Sequence, residues 1–426
     1  MELKPGYKRT EVGAIPEDWH VKHLGTLMER GRLGGNYPST DRESSYPLIK
    51  MGNLARGYID IGKVEYIDRG VTPGPIDRLF YGDVLFNTRN TLDLVGKVAI
   101  WRNELPVAYY NSNLMRLEFK ESEISSNAYA NYAFNSKRSV SALRALATGT
   151  TSVAAIYTRD LLQLRFIVPP KDEQIAISIA LSDVDALISS LDQLIAKKRD
   201  IKQATMQQLL TGQQRLPGFG ELKSEYRQTE VGVIPGDWNI SKVEELGEVV
   251  TGGTPSTTRR EYWNGSYPWI TPTDISTERD MYTSDRLLTR DGLEAIRILP
   301  PGSVLVTCIA SVGKVAILKT EGSCNQQINA IIPNANHDST FLYYLFSTAK
   351  QYLLANAGIT ATPIVSKKTF ENLSVVNPEL HEQKAIAAVL SDMDADITAL
   401  EQKREKTRAL KQGMMQELLT GRIRLV

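Results

Sequence analysis

Two Gly-Lys pairs are the residues whose type and spacing come nearest to a catalytic motif. Gly96-Lys97-Val98 and Gly313-Lys314-Val315 resemble the end of a phosphate-binding loop, in which a glycine-rich turn cradles phosphates beside a lysine. That motif requires Ser or Thr directly after the lysine, and both segments carry valine there. We therefore expect two turns that lead into strands, and the sequence gives no support for nucleotide binding.

Other catalytic patterns are incomplete as well. Asn377-Pro378-Glu379 does not match the Asn/Asp-Pro-Pro-Tyr type of motif found in amino-methyltransferases, and we expect it to cap a helix, with Asn377 as the N-cap residue. The pairs Asp183/Asp185 and Asp392/Asp394 lie in predicted helices, where we interpret them as solvated faces. Neither a nucleophile elbow nor a zinc-protease motif occurs in the sequence. We predict that the chain performs no catalysis and holds no cofactor.

Cysteine and histidine usage argues against a structural metal site. Cys308 and Cys324 are too few for a disulfide framework or a zinc site, and we expect free thiols in a reducing cytoplasm. The histidines lack ligand spacing, and we interpret them as surface or structural residues; they are His20, His23, His337 and His381. The sequence therefore predicts no metal.

Bulk composition predicts a cytoplasmic protein of two or three domains. A chain of 426 residues exceeds one compact core, and 42% hydrophobic with 23% charged residues is ordinary for a globular protein. Charges interrupt every candidate apolar run, and the first residues lack the apolar core of a signal peptide, so we expect no membrane segment.

The sequence contains the same plan twice. The frame T-E-V-G-x-I-P-x-D-W runs over Thr10–Trp19 and again over Thr229–Trp238, and residues 147–217 align without a gap on 356–426. By contrast, residues 28–45 and 247–266 barely match. The frame and the C-terminal parts of the two copies are alike, whereas the segments between them differ. This pattern indicates a duplicated unit whose two copies have related but distinct roles.

Each copy ends in one long predicted helix. Apolar residues recur at spacings of three and four, the narrow stripe of a coiled-coil seam. Both helices end in Leu-Leu-Thr-Gly, which places Gly212 and Gly421 where a left-handed cap is expected. We expect the two helices to pair with each other, antiparallel because of the pseudo-twofold repeat, rather than on their own globular parts. The predicted seam residues are Leu181, Val184, Ile188, Leu191 and Ile195, with Leu390, Met393, Ile397 and Leu400.

The globular parts are predicted to mix strands and helices, which makes the fold class α+β. Short apolar runs bounded by Gly, Asn or Pro indicate strands at Val84–Phe86, Val98–Ile100, Val304–Val306 and Ala330–Ile332. Residues 127–147 and 339–356 are predicted to be helical.

With these features, the chain resembles the specificity subunits of type I restriction–modification systems over nearly its whole length. In the second copy, Thr251–Ser256, Glu261–Trp263 and Trp269–Ile275 resemble the opening of a target-recognition domain, and both helices resemble the family's conserved spacers. The first copy departs from that pattern at Gly34–Ser39 and Leu48–Leu54, as expected if the two domains recognise different half-sites. The implied segments are target-recognition domain 1 at 1–170, a central spacer helix at 171–212, a linker at 213–225, target-recognition domain 2 at 226–376, and a C-terminal spacer helix at 377–426.

The resemblance implies a non-catalytic subunit and its partners. Each recognition domain would bind one half of a bipartite, asymmetric site in double-stranded DNA. The helices would set the spacing between the halves and dock two methyltransferase subunits, and restriction (motor) subunits would complete the enzyme. S-adenosylmethionine, ATP and Mg²⁺ are expected on those partners and not on this chain.

Polar loop residues are the candidates for reading base edges, because their side chains can hydrogen-bond in the major groove. Each could equally serve in a turn or a cap. For five aromatic residues, a position in the hydrophobic core is favoured over stacking on DNA bases. They are Tyr109, Tyr110, Tyr262, Trp263 and Trp269. The base-reading candidates are Lys50, Asn53, Thr88, Arg89, Asn90, Asn111 and Asn113 in the first copy, and Thr271, Thr273, Asp274, Ser311, Asn325, Gln326 and Gln327 in the second.

Charge is unequal between the copies. Residues 1–170 carry 22 Lys and Arg against 18 Asp and Glu, whereas residues 225–375 carry 13 against 16. DNA contacts in the second copy must therefore come from local arrangement or from partner subunits. Two alternatives remain open from the sequence: a helical scaffold that does not read DNA, and a specificity subunit of a methylation-only or related defence system.

Overall fold

The computed structural model describes residues 3, 5–150, 152–220, 225–358 and 362–425. Part of the predicted linker 213–225, residues 221–224, lies outside the described residues. The chain divides into two compact units. The first unit comprises residues 1–192 and 402–426, and the second comprises residues 193–401. Each unit therefore contains one part of both long helices.

The first unit begins with the repeated frame and continues as a mixed α/β domain. Short helices are capped by serine side chains, as at Ser126 and Ser136, whose hydroxyls accept backbone N–H groups. Its elements are β1 (Tyr7–Thr10), β2 (Gly13–Pro16), β3 (His20–His23), α1 (Leu24–Leu27), β4 (Met28–Leu33), β5 (Ser39–Thr40), β6 (Pro47–Ile49), β7 (Glu65–Ile67), β8 (Val84–Asn87), β9 (Arg89–Asn90), β10 (Val98–Ile100), β11 (Tyr109–Tyr110), β12 (Leu114–Phe119), α2 (Asn127–Phe134), α3 (Lys137–Leu146), β13 (Thr148–Gly149), β14 (Ala154–Ala155), α4 (Thr158–Leu161) and β15 (Arg165–Val168), followed by the long helix α5 (Lys171–Leu210).

An antiparallel sheet in the order β10-β8-β12-β4 forms the centre of the first unit. Every residue of β8 is buried, and α2 packs on this sheet with Tyr129 and Phe134 in the same core. A second sheet, in the order β11-β6-β7-β5, pairs β11 with β6 in parallel. The predicted strands at Val84–Phe86 and Val98–Ile100 are confirmed.

The second unit repeats this plan with a larger central sheet. Its elements are β16 (Tyr226–Thr229), β17 (Gly232–Pro235), β18 (Asn239–Lys242), α6 (Val243–Leu246), β19 (Gly247–Thr251), β20 (Trp263–Ile270), β21 (Asp280–Met281), β22 (Leu287–Leu288), α7 (Arg290–Glu294), β23 (Val304–Thr307), β24 (Val315–Leu318), β25 (Ser323–Cys324), β26 (Ile328–Pro333), α8 (Ser339–Thr348), α9 (Lys350–Ala355), α10 (Lys367–Glu371) and β27 (Ser374–Asn377), followed by the second long helix α11 (Leu380–Leu418).

The central sheet of the second unit has the order β19-β26-β23-β24-β21, and β22-β20-β25 lies in a separate sheet. Strands β23 and β26 confirm the two predictions made for this unit. Cys308 and Cys324 are free, as predicted, and both are buried. Burial raises the pKa of the Cys308 thiol to about 11 and that of Cys324 to about 12.

The helical predictions at 127–147 and 339–356 each need one correction, because two helices occupy each segment. In the first unit Asn135 and Ser136 interrupt the run, since Ser136 leaves helical geometry to cap α3. In the second unit Ala349 separates α8 from α9.

Both long helices run antiparallel to each other within each unit. In the first unit Asp185 pairs with Lys411 at 2.6 Å, and Asp192 pairs with Arg404 at 3.1 Å, so the residue number falls on one helix as it rises on the other. In the second unit Lys198 pairs with Asp396 at 3.0 Å and Lys202 pairs with Asp394. The predicted antiparallel pairing of the spacer helices is confirmed. The expectation that they pair with each other and not with their own globular parts is wrong for the start of each helix, because Leu181 lies in the hydrophobic core of the first unit and Leu390 in that of the second.

The ends of the long helices differ in detail from the prediction. Helix α11 begins at Leu380, and Asn377 is not its N-cap residue, because Asn377 ends strand β27 and donates from Nδ2 to Ser241 at 3.0 Å. Gly212 and Gly421 follow the helices with φ of 69° and 71°, the left-handed geometry predicted for them.

The predicted seam residues occupy buried or half-buried positions. Leu181, Leu191, Ile195, Leu390 and Ile397 are buried. Val184, Ile188, Met393 and Leu400 are half-buried.

Asp183 and Asp185 interrupt the apolar stretch of α5, as predicted. Within the described residues this helix alone is nevertheless long and apolar enough to cross a membrane by length and composition.

The prediction of solvated carboxylate pairs is wrong for one member of each pair. Asp185 and Asp394 are half-buried and accept hydrogen bonds from Tyr132 and Tyr344, each at 2.7 Å.

Candidate functional site

The repeated frame is a socket for the end of a long helix. In the first unit Trp19 donates from Nε1 to the buried carboxylate of Glu173 at 2.8 Å, and Arg424 donates to the same carboxylate at 2.6 Å. Arg424 also binds Asp18 with both terminal nitrogens, at 3.0 and 2.8 Å. The Asp-Trp of the frame thus joins the start of α5 to the residues that follow α11.

The second unit repeats this socket contact by contact. Trp238 donates to Glu382 at 3.0 Å, and Arg215 donates to the same carboxylate at 2.7 Å. Arg215 also binds Asp237 at 2.9 Å. The frame and the helix ends recur in the sequence because they complete one buried network in each unit.

A shared glutamine fixes the first turn of each long helix. Gln174 donates to the carbonyl oxygens of Pro169 and Glu123 at 3.0 and 2.9 Å, and Gln383 donates to that of Pro378 at 2.8 Å. Both glutamines are buried. The Glu-Gln pair at each helix start is therefore structural, and its glutamine ties the first turn of the helix to the residues just before it.

The structure gathers the candidate residues of the first unit at one end of its central sheet. Strand β8 ends at Asn87, where it pairs with Leu114 at the start of β12, and Thr88 binds the carbonyl oxygen of Asn113 at 2.9 Å. Asn111 follows β11 and donates its backbone N–H to Ile49 at 3.1 Å, which brings in Lys50. Arg89 and Asn90 form β9 at the same end.

These residues divide into anchors and free side chains. Asn53 is buried and donates to the carbonyl oxygens of Asp60 and Lys63 at 2.9 and 2.8 Å, so it holds a loop. Lys50 pairs with Glu65 at 2.8 Å, and this hydrogen bond holds the pKa of Glu65 below its usual value. Arg89 is the one exposed side chain among the seven first-unit candidates.

The candidates of the second unit also share one end of their sheets. Asn325 follows β25 and donates its backbone N–H to Ile270 at 2.9 Å, which places the 325–327 loop beside Thr271. Cys308, after β23, donates its backbone N–H to Gln327 at 2.8 Å, which brings in the turn that carries Ser311.

Anchors and exposed side chains are present here too. Asp274 accepts the backbone N–H of Thr271 at 2.8 Å and that of Asp285 at 2.9 Å, and Asn325 is buried. Thr273, Ser311 and Gln326 are exposed. Asp274 and Asn325 thus shape the loops. Two of the exposed side chains also make hydrogen bonds, since Thr273 contacts the Thr271 hydroxyl at 2.7 Å and Gln326 accepts from Thr254 at 2.7 Å.

One cluster of side chains in the second unit is not predicted from the sequence. The Arg286 guanidinium lies 3.7 Å from the centre of the Trp263 ring and 5.0 Å from that of Trp269, and the two rings meet edge to face. Trp269 is buried and Trp263 is half-buried. The Trp-rich run was visible in the sequence, but Arg286 is distant from it and carried no signal of its own.

The prediction that the other three aromatic residues lie in the core is confirmed for two of them. Tyr109 and Tyr110 are buried, whereas Tyr262 is half-buried and accepts a hydrogen bond from Arg259 at 2.6 Å. Among the described residues, no group of His, Cys, Asp and Glu side chains could hold a metal ion.

Comparison with known families gives two matches within this chain. The type I restriction modification DNA specificity domain matches residues 16–198 and again 235–408. The type I restriction enzyme MjaX specificity subunit of Methanocaldococcus jannaschii is 27% identical over 98% of this chain and 97% of its own length. The MjaIX specificity subunit of the same organism is 38% identical over 40% of this chain and 41% of its own length.

Solved structures share the fold. A chain from a study of the assembly of a type I R-M system has a TM-score of 0.56 at 16% identity, covering 96% of this chain and 99% of that chain. The S subunit of a type I restriction-modification system from M. genitalium has a TM-score of 0.56 at 15% identity, covering 98% of each chain.

Proposed function

Because this chain belongs to the family of type I restriction–modification DNA specificity proteins, we propose that it recognises a bipartite DNA site, with one half read by each unit. One observation carries this proposal. The candidate polar residues of each unit converge at one end of its sheets, on loops that differ between the units, while the frame and helix contacts are the same in both. A common scaffold with different loops is what two half-sites of different sequence require.

Base recognition is assigned to the exposed polar side chains of those loops. In the first unit Arg89 fits a guanine edge, because a guanidinium can donate two hydrogen bonds to its acceptors. In the second unit Thr273, Ser311 and Gln326 are the corresponding groups. The buried anchors keep the loop backbone fixed, which reduces the entropy lost when DNA binds.

The chain is a recognition component and is not itself an enzyme. We propose that it works in the cytoplasm, where two methyltransferase subunits dock on its long helices and restriction subunits bind the assembly. Helix α5 fits such docking, because Ile175, Ile179 and Leu187 are 42%, 56% and 43% exposed in the first unit. S-adenosylmethionine, ATP and Mg²⁺ are assigned to those partner subunits.

The experiment is a loop-domain exchange. Residues 247–375 are replaced by the equivalent segment of another specificity subunit, which leaves the 226–246 frame and both long helices unchanged. Methylome sequencing of cells with the matching methyltransferase should show one half of the motif changed and the other half intact. A change in both halves, or in neither, would contradict one half-site per unit.

A further inference from the structure

Three cationic side chains of the first unit lie beside its candidate base-reading loop. They are Arg56, Lys97 and Arg144, called here the cationic cluster. Lys97 is next to that loop, because its carbonyl oxygen accepts the backbone N–H of Asn87 at 2.8 Å, one residue before Thr88. The sequence predicts no binding role for Arg56 or Arg144, and it places Lys97 in a turn that leads into a strand.

Backbone contacts bring Arg56 to Lys97. Gly57 donates its N–H to the carbonyl oxygen of Val98 at 2.8 Å and forms an isolated bridge with Ala99. Arg56 and Lys97 directly precede these contacting residues, so the two side chains start from neighbouring backbone segments.

A second set of contacts brings in Arg144. Helix α3 packs closely on the turn before Lys97, since a Cβ atom added to Gly96 would lie 3.4 Å from the Cβ of Leu143. Arg144 is the next residue of α3, and it pairs with Asp93 in that same turn. Within the described part of the chain, Asp93 is the one acidic side chain that pairs with a member of the cluster.

Arg144 has Asp93 as its ion-pair partner, whereas Arg56 and Lys97 pair with no acidic side chain among the described residues. Desolvation lowers the pKa of Arg56, although the residue is exposed, and the nearby Arg144 lowers that pKa further. Desolvation also lowers the pKa of Lys97, with Arg56 as the second cause. Like charges held together in this way are stabilised when an anion enters between them.

The second unit uses its equivalent lysine differently. Lys314, the counterpart of Lys97, donates to the carbonyl oxygens of Pro272 and Ile275 at 2.7 and 2.9 Å. Its ammonium group is therefore committed to the fold. No such hydrogen bond holds the ammonium group of Lys97 among the described residues.

We infer that the cationic cluster is a binding site for the backbone phosphates of DNA, placed beside the base-reading loop of the first unit. The inference rests on the proposed DNA recognition and adds which residues hold the backbone. The excess of Lys and Arg in residues 1–170, 22 against 18 acidic residues, agrees with this assignment, since residues 225–375 have 13 against 16. The first unit then supplies most of the sequence-independent affinity, and the second depends more on its loops.

The test compares the salt dependence of DNA binding between matched variants. Full-length R56Q/K97Q and unsubstituted chain are titrated with a labelled duplex of arbitrary sequence over a range of salt concentrations. Losing two phosphate contacts should make the slope of log K against log salt shallower by about 1.8, since each contact contributes about 0.9. The affinity at moderate salt should fall on the order of tenfold or more. The variant R56K/K97R keeps both charges and should retain most of the slope.

The control removes two charges at the other end of the same sheet. Arg30 is exposed and Lys120 is half-buried. Both lie near the end of β12, away from the loop, so R30Q/K120Q should leave the slope nearly unchanged. Equal slopes for R56Q/K97Q and the unsubstituted chain, with the methylated motif retained in cells, would refute the cluster and leave the proposed function intact. An unsubstituted chain whose DNA binding does not depend on salt would refute both.

Discussion

Arg424 and Glu173, 251 positions apart in the chain, form a hydrogen-bonded ion pair at 2.6 Å within the first unit. Glu173 is fully buried, and its other carboxylate oxygen accepts the Trp19 indole N–H at 2.8 Å. Arg215 and Glu382 form the twin pair of the second unit. A buried carboxylate needs such partners, because its desolvation costs several kcal/mol when it is left alone.

We expect R424A to destabilise the first unit. The variant leaves the Glu173 carboxylate buried with Trp19 as its remaining donor. Because Arg424 is itself 29% exposed, the expected loss is roughly 2–4 kcal/mol, at the lower end of the range for a broken buried pair. Thermal unfolding of the full chain should show a transition lowered by roughly 5–10 °C.

The neighbouring Arg422 provides the matched control. Arg422 pairs with Glu417 at 3.2 Å, and the two side chains are 56% and 34% exposed. Such a surface pair contributes about 0–1 kcal/mol, so R422A should change the transition little. Equal effects of R422A and R424A would show that the Glu173 network does not hold the helix end.

Much of this scaffold could be predicted from the sequence, because it is written twice. Repetition identified the frame and the helix ends, and heptad spacing identified the seam. The partners of Arg424 could not be predicted, since nothing local links a residue after α11 with Glu173. For Asn377 a local signal was present and misled the prediction. Asparagine is a good N-cap residue, but strand pairing with Asn239 keeps it in β27.

The sequence predicts where the candidate residues lie better than it predicts what each side chain does. Alternating strands and polar loops place Thr88, Asn113 and Asn325 at the ends of sheets. Whether an asparagine there is free or buried depends on packing between distant segments. The cationic cluster was missed because Arg56, Lys97 and Arg144 are separated in the chain and meet only through backbone pairing and helix packing.

Acid should weaken both sockets through Asp18 and Asp237. A hydrogen bond from Arg424 lowers the pKa of Asp18, and one from Arg215 lowers the pKa of Asp237. A folded-state pKa below the unfolded value means that these groups stabilise the fold fully above the unfolded pKa of about 3.9. That stabilisation is lost as the pH falls through the lower folded pKa.

The pH dependence can be checked with D18N/D237N. We expect the unsubstituted chain to unfold at a higher temperature than this variant between about pH 5 and pH 8, with a nearly constant difference. The difference should shrink as the pH falls below about 4, where the aspartates of the unfolded chain take up protons. A difference that is as large at pH 3 as at pH 7 would contradict the role of these two charges.

Replacing glycine by alanine should lower the free energy of unfolding at Gly212 and raise it at Gly413. Gly212 has φ of 69°, and a Cβ atom there would lie 2.5 Å from Cδ of Pro235, so G212A should cost about 1–3 kcal/mol. Gly413 lies inside α11 with nothing within 4 Å of the added Cβ, so G413A should gain about 0.5–1 kcal/mol. Thermal unfolding measures both, and a stabilising G212A would refute the tight cap against the frame.

The long helices are expected to set the distance between the half-sites, and the contacts of each unit dictate how to test this. The first unit holds α5 up to Asp192 and α11 from Gln402, and the second unit holds the parts between. Four residues are therefore inserted after Asp192 together with four after Glu401. Every contact within each unit is then kept, while the connection lengthens by about 6 Å at 1.5 Å per residue.

One base pair advances about 3.4 Å, so the unspecified gap of the methylated motif should grow by one or two base pairs, roughly. Four residues turn a helix by about 40° beyond a full turn, so the seam through Leu191 and Ile195 nearly keeps its face. Two-residue insertions at the same places turn each helix by about 200° and should abolish methylation. Methylome sequencing distinguishes the variants. If the four-residue variant methylates the original spacing alone, the helices do not measure the site, and the gap must be set by a partner subunit.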